Sequence, residues 1–173
     1  MKAFTIIIAL LLLTNIGLFA QSGMTIKSGG AVTVNGNTAI IPNSFSIGQS
    51  YGGGIIFYVT PDGQHGLIAE TQDQSIHSSW YDAYDIICDP NNHSIAGKNY
   101  TDWRLPSKYE LNLLYVNKDI IGGFFLNSMY WSSTEYYGIN NNNAWDQLFL
   151  NGQQTHGNAK CCSLESVRAI RSF

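Results

Sequence analysis

Apolar residues fall along this chain in short runs of period two, joined by polar and glycine-rich segments, with two stretches at helical spacing between them. Residues 4–13 are one apolar run. Residues 31–34 and 38–41 are short β-prone runs around Asn35-Gly36, a pair that favours a hairpin or an extended arm. Gly52-Gly53-Gly54 opens onto a predicted strand over 55–59, and Pro61-Asp62-Gly63 presets a turn into a second strand over 66–69. From Trp80, residues Ala83, Tyr84, Ile87 and Cys88 share a face at helical spacing, with Ser78 or Ser79 as cap and Asp89-Pro90 as the stop. Asp82 and Asp85 lie off that stripe and read as solvated acids. A second helix starts at Ser107, where Ser107 and Glu110 have capping-box spacing, and Leu111, Leu114 and Tyr115 follow on one side until Gly122-Gly123. Glu110 therefore reads as a cap and not as a reacting acid. The tail has strand patterns at 130–134, 144–150 and 167–173, and between them a tract rich in Asn, Gly, Tyr, Ser and Thr.

Composition narrows the class. The chain is 45% hydrophobic and 13% aromatic, so a core can form, but only 12% charged. Surface polarity must then come from amides and hydroxyls, as in exported binding domains. The formal charge of -3 includes no basic run, which disfavours nucleic acid and anionic membrane surfaces. Met1-Lys2, the apolar run and Leu18-Phe19-Ala20 have the layout of a signal peptide cleaved after Ala20. The expected organisation is thus a leader at 1–20, an arm or linker at 21–50 and one domain at 51–173.

Of the three cysteines, Cys88 is expected on a buried helix face, and Cys161 and Cys162 are not expected to bond to each other. A bridge from Cys88 to that pair stays open. His65, His77, His93 and His156 have no zinc-ligand spacing. No nucleophile elbow, phosphate loop or paired-acid motif occurs, so the expectation is a non-enzyme without metal or cofactor.

Five segments stand in a telling order: Gly-Ile-Ile-Phe-Tyr-Val from Gly54, Gly-Gln-His-Gly-Leu-Ile-Ala from Gly63, Asp-Trp-Arg-Leu-Pro-Ser from Asp102, Tyr-Trp-Ser-Ser-Thr-Glu from Tyr130, and Val-Arg-Ala-Ile-Arg from Val167. This order resembles the Lcl C-terminal-like domain family, also called the Fibrobacter succinogenes major paralogous domain, over about Gly48 to Phe173. The resemblance implies an α+β, C-type-lectin-like fold, with two helices flanking small, mostly antiparallel sheets and the chain ends meeting in one sheet. Trp103, Arg104, Pro106, Ser107, Glu110, Trp131, Trp145, Gln147 and Arg168 read as structural scaffold.

The tail also resembles the variable region of diversity-generating-retroelement target proteins, in which Asn codons are randomised. That likeness implies scaffold roles for Trp145, Gln147, Gln153, Gln154, Lys160 and Glu165, which such randomisation cannot produce. It implies varied, ligand-facing roles for Tyr136, Tyr137, Gly138, Ile139, Asn140, Asn141, Asn142, Asp146, Leu148, Leu150, Thr155, His156, Gly157, Asn158, Ala159, Cys161, Cys162, Ser163 and Leu164. Strand alternation supports part of this, putting Trp145, Gln147 and Phe149 on one face and Asp146, Leu148 and Leu150 on the other. With the tryptophan face inward, two leucines would stand exposed near Tyr136 and Tyr137. A strand buried on both faces is the competing reading.

The expected function is an exported recognition module at the cell surface or in the medium, binding a protein or glycan of another cell or phage. Two alternatives stand beside it. One is a metal-free glycan-binding adhesin, since the calcium-dependent sugar motif of C-type lectins is absent. The other is an enzyme related to the formylglycine-generating group, using Cys161 and Cys162 for copper.

Overall fold

The computed structural model describes residues 24–27, 31–34, 37–40, 44–138 and 142–173. The expected leader at 1–20, the expected turn at Asn35-Gly36 and the candidate positions Ile139, Asn140 and Asn141 lie outside the described residues. Two compact units form, Met1–Asn43 and Ser44–Phe173. In the first, β1 (Met24–Lys27), β2 (Ala31–Val34) and β3 (Asn37–Ile40) pair antiparallel in that order.

The second unit begins with β4 (Ser50–Tyr51), β5 (Gly54–Val59), β6 (Gly66–Ala69) and β7 (Ser75–Ser78). Three α-helices follow, α1 (Ala83–Cys88), α2 (Lys108–Val116) and α3 (Lys118–Ile121), with short 3-10 helices at Pro90–Asn92 and Gly97–Asn99 between the first two. The tail supplies β8 (Met129–Tyr136), β9 (Asn143–Leu148), β10 (Gln154–Thr155), β11 (Glu165–Val167) and β12 (Ile170–Ser172). The strands make two sheets, ordered β10-β9-β8-β11-β7 and β12-β6-β5-β4. The fold is therefore α+β with few helices. Pairing is antiparallel except between β8 and β11. Residues 44–50, read from the sequence as part of the arm, belong to this unit. Phe45 packs its ring against Tyr51 and Phe173 at 4.6 Å each, so the two ends of the unit meet at one sheet.

Strands buried on both faces explain why β5 and β6 lack polar alternation. Consecutive residues feed two different cores. Ile56, Ile68, Trp131 and Val167 pack with Ala83 and Ile87 of α1. Phe57, Ala69, Tyr130 and Ile170 pack with Leu111 and Leu114 of α2. Each fully buried aliphatic or aromatic side chain contributes about 1.5–3 kcal/mol. The capping box of α2 is complete: Ser107 Oγ accepts from the Glu110 N–H, and the Glu110 carboxylate accepts from the Ser107 N–H.

The predicted first helix needs correction. Ala83 and Ile87 are buried, but Tyr84 and Cys88 are exposed. Only six residues are helical, and the buried edge is one residue wide per turn, so positions 84 and 88 rotate out to solvent. The expectation about the adjacent cysteines is also corrected. Cys161 and Cys162 are bonded to each other, and Cys88 is a free thiol.

Candidate recognition surface

The tail crosses from one sheet to the other at Arg168-Ala169, and that crossing is pinned from beneath. Arg168 is buried. Its Nε donates to Asp73 Oδ1 at 2.7 Å, Nη1 to the carbonyls of Glu70 and Gly122, and Nη2 to the Gly123 carbonyl. The guanidinium lies 3.9 Å from the centre of the Phe124 ring. Asp73 also accepts from the Tyr130 hydroxyl at 2.8 Å. Burial pushes the Asp73 carboxyl upward, against the pull of Arg168.

Other scaffold side chains act in the same way. Buried Gln147 donates from Nε2 to Asn112 Oδ1 and to the Gly152 carbonyl, each at 3.0 Å. Trp131 Nε1 donates to the Ser78 carbonyl, and Trp103 Nε1 to the Gly97 carbonyl. Arg104 is exposed but reaches both Glu110 oxygens, at 2.8 and 2.7 Å. Burial raises the Glu110 carboxyl, yet the Arg104 guanidinium and the Ser107 donors outweigh it and bring the pKa down to about 2. Pro106 is buried and accepts at its carbonyl from the Ser133 N–H.

Two segments distant in sequence meet at one end of the five-stranded sheet. The Asn142 carbonyl accepts from the Lys160 N–H at 2.8 Å. Asn143 bridges Ala159, and Asn143 Nδ2 donates to the His156 carbonyl at 2.8 Å. Asn142 Nδ2 stands 3.9 Å from Cys161 Sγ. Tyr137, Asn142, Gly157, Cys161 and Cys162 are exposed there, while Gly138, Asn158, Ala159 and Ser163 are half-buried. These are the ligand-facing candidates that the fold brings together.

Other candidates fall elsewhere. Asp146 is fully buried, which corrects its placement as an outward residue. Its carboxylate accepts from Thr155 Oγ1 at 2.5 Å and from Asn158 Nδ2, so it ties β10 and the following loop to β9. Burial raises its pKa despite those two donors. Half-buried Glu165 is pushed up to about 7, by burial first and by the Asp146 charge second.

Leu148 and Leu150 do not join the surface either. Tyr136 pairs with Asn143 and Met129 with Leu148, so Leu148 lies five residues along β9 from Asn143, about 17 Å away. Exposed Leu164 precedes β11 beside β7.

Trp145 is half-buried and not an inward scaffold residue. The two-residue period placed it correctly opposite Asp146, but the face that sinks into the first core at this end of the sheet is the one carrying Asp146. Trp145 joins Tyr136 and His156 in an aromatic cluster. The Tyr136 and His156 rings stack at 3.8 Å, and the Trp145 ring meets His156 edge-on at 4.8 Å. Lys108 Nζ covers Trp145 at 3.0 Å, and Gly138 lies against the Tyr136 ring. Lys108 had no sequence signal as part of this region, whereas Lys160, expected as scaffold, is buried and pairs with Glu135 at 2.6 Å. Among the described residues no group of three or more His, Cys, Asp or Glu is arranged to hold a metal ion.

Residues 58–171 match the family model described as the Lcl C-terminal domain. No curated protein matches the chain.

Proposed function

The chain belongs to the Lcl C-terminal domain family, and from that premise we propose that it is an exported, non-enzymatic recognition module with a C-type-lectin-like fold. Its binding surface is the end of the sheet where the 136–143 and 155–163 segments lie side by side. The observation that carries this reading is a separation of labour within the tail. Arg168, Gln147, Asp146 and Lys160 are buried and bonded to the frame, while Tyr137, Asn142, Gly157 and the Cys161–Cys162 pair face solvent. A rigid support under exposed, chemically varied side chains is what a recognition surface requires.

A protein ligand is favoured over a sugar held by ring stacking. The Tyr136, Trp145 and His156 rings cover one another or are covered by Lys108 and Gly138, which leaves them little open π-face. Tyr137, at 79% exposure, is free to serve as an interface anchor. The same exposed positions are those a diversity-generating retroelement would vary. That part is tested in the genome, by a near-copy of the gene's 3′ end beside a reverse transcriptase gene. The copper-enzyme alternative has less support, because the two sulfurs it would use are bonded to each other.

The direct test replaces Tyr137, Asn142, Gly157, Cys161 and Cys162 together. Wild-type and variant domains are then compared for adhesion to a panel of bacterial cells and phage particles. The expected result is a changed binding profile with the melting temperature within a few degrees. An unchanged profile, or a variant that no longer folds, would overturn the assignment of these residues to a ligand surface. Export is checked by sequencing the mature amino terminus, expected at Gln21.

A further inference from the structure

The misplaced stripe of α1 has its own chemistry. Tyr84, Asp85 and Cys88 recur at spacings of three and four on α1, opposite the buried Ala83 and Ile87, and Tyr81 stands exposed in the turn just before the helix. Tyr81 is 55% and Tyr84 73% exposed, and Cys88, one turn after Tyr84, is exposed as well. Asp82, Asp85 and Asp89 are exposed on and around the same short helix. Asp82 accepts from Ser79 Oγ, and Asp89 from the Asn91 N–H and Nδ2, all uncharged donors. Among the described residues no Lys or Arg forms an ion pair with these three carboxylates. The sequence explains this, since no Lys or Arg occurs between Lys27 and Lys98. Lys160 Nζ, which lies 4.9 Å from the Trp80 ring, is paired with Glu135.

We propose that the outward face of α1 is a docking site for a basic segment of a partner protein, whose Arg or Lys side chains lie on the Tyr81 and Tyr84 rings and face the neighbouring aspartates. A guanidinium suits both features at once. Its plane stacks on a tyrosine ring while its edge donates to a carboxylate. Exposed tyrosines are interface anchors that lose little conformational entropy on binding, and the excess of negative charge selects the sign of the partner. The site is distinct from the loop surface but adjoins it. The Trp80 N–H donates to the Lys160 carbonyl at 2.9 Å, so Tyr81 and Cys161 each follow a residue of that bond. One partner can therefore span both.

The test uses a fluorescent Arg-Gly repeat peptide as the probe, at low and at physiological salt. Tyr84→Ala and Asp85→Asn are each expected to weaken binding roughly threefold to fivefold, in line with an exposed cation–π contact. Asp119→Asn, which removes the same charge from α3, should leave affinity within about twofold, the general screening effect of one charge. Bound peptide should also slow alkylation of Cys88, the free thiol of this face. Equal weakening by D85N and D119N would mean a non-specific charge effect and overturn the site. So would unchanged alkylation of Cys88, or binding of a Glu-Gly repeat peptide with equal affinity. Tyr137→Ala separates this inference from the loop surface. It should leave peptide affinity unchanged, and a loss there in place of the loss with Y84A would move the basic segment to the loops and overturn the assignment to α1.

Discussion

Replacing Arg168 by Met keeps an apolar stem of similar length and removes the charge and every donor. The consequences can be worked from the partners. The Asp73 carboxylate, itself buried, would keep only the Tyr130 hydroxyl, and the carbonyls of Glu70, Gly122 and Gly123 would each lose a donor. Breaking a buried pair by removing one partner costs about 3–5 kcal/mol. That is a large part of the ~5–15 kcal/mol that holds a domain folded. For a domain of this size it corresponds to a fall of roughly 10–20 °C in melting temperature. Asp73→Asn removes the other charge while leaving Arg168 able to donate. In the double variant no uncompensated charge remains, so its loss should be smaller than the sum of the single losses by about 1–3 kcal/mol. Urea unfolding followed by tryptophan fluorescence reads all four proteins, because Trp103 and Trp131 are buried in the folded state. A loss under about 1 kcal/mol for R168M, or additive single losses, would refute the claim that this residue pins the tail.

Three further predictions concern charge and sulfur. Glu165, with its folded pKa raised from 4.5 to about 7, contributes stability that is full below pH 4.5 and is lost as pH rises toward 7. Glu165→Gln should flatten that slope, worth about 1–2 kcal/mol after allowing for solvent screening at a half-exposed group. Glu110, lowered to about 2, works in the opposite sense. Its contribution is present above pH 4.5 and lost as pH falls toward 2, so Glu110→Gln should flatten the acid limb; a variant retaining wild-type pH dependence would contradict either assignment. Alkylation followed by mass measurement should give one adduct, at Cys88, on the native domain and adducts at Cys161 and Cys162 only after reduction. Three adducts without reductant would contradict the vicinal disulfide.

What could be read along the chain is what depends on near neighbours. The α2 capping box joins residues three apart, and both of its bonds form. Strands 55–59 and 66–69 follow from β-prone residues that glycines introduce, and Asp89-Pro90 ends α1 because proline brings no N–H to continue the α-helical ladder. The five ordered motifs led to the family itself, which the match over 58–171 bears out.

The candidate surface was legible only as a segment. Its polar, aromatic composition marks the tail, but the division between support and display depends on pairings that cross the sheet. Asp146 is sealed by Thr155 and Asn158, and Trp145 is turned toward Lys108 from another element. β7, Ser-Ile-His-Ser, has no strand signal of its own and becomes one because β11 lies antiparallel beside it.

The amino-acid sequence alone settled the elements whose stabilising contacts fall within a few residues, and the order in which they come. Only the tertiary structure decided which face of each element meets solvent, because burial is set by partners tens of residues away. The same distance effect turned Tyr84 and Cys88 outward and put Arg168 beneath the tail. No local pattern carries that information.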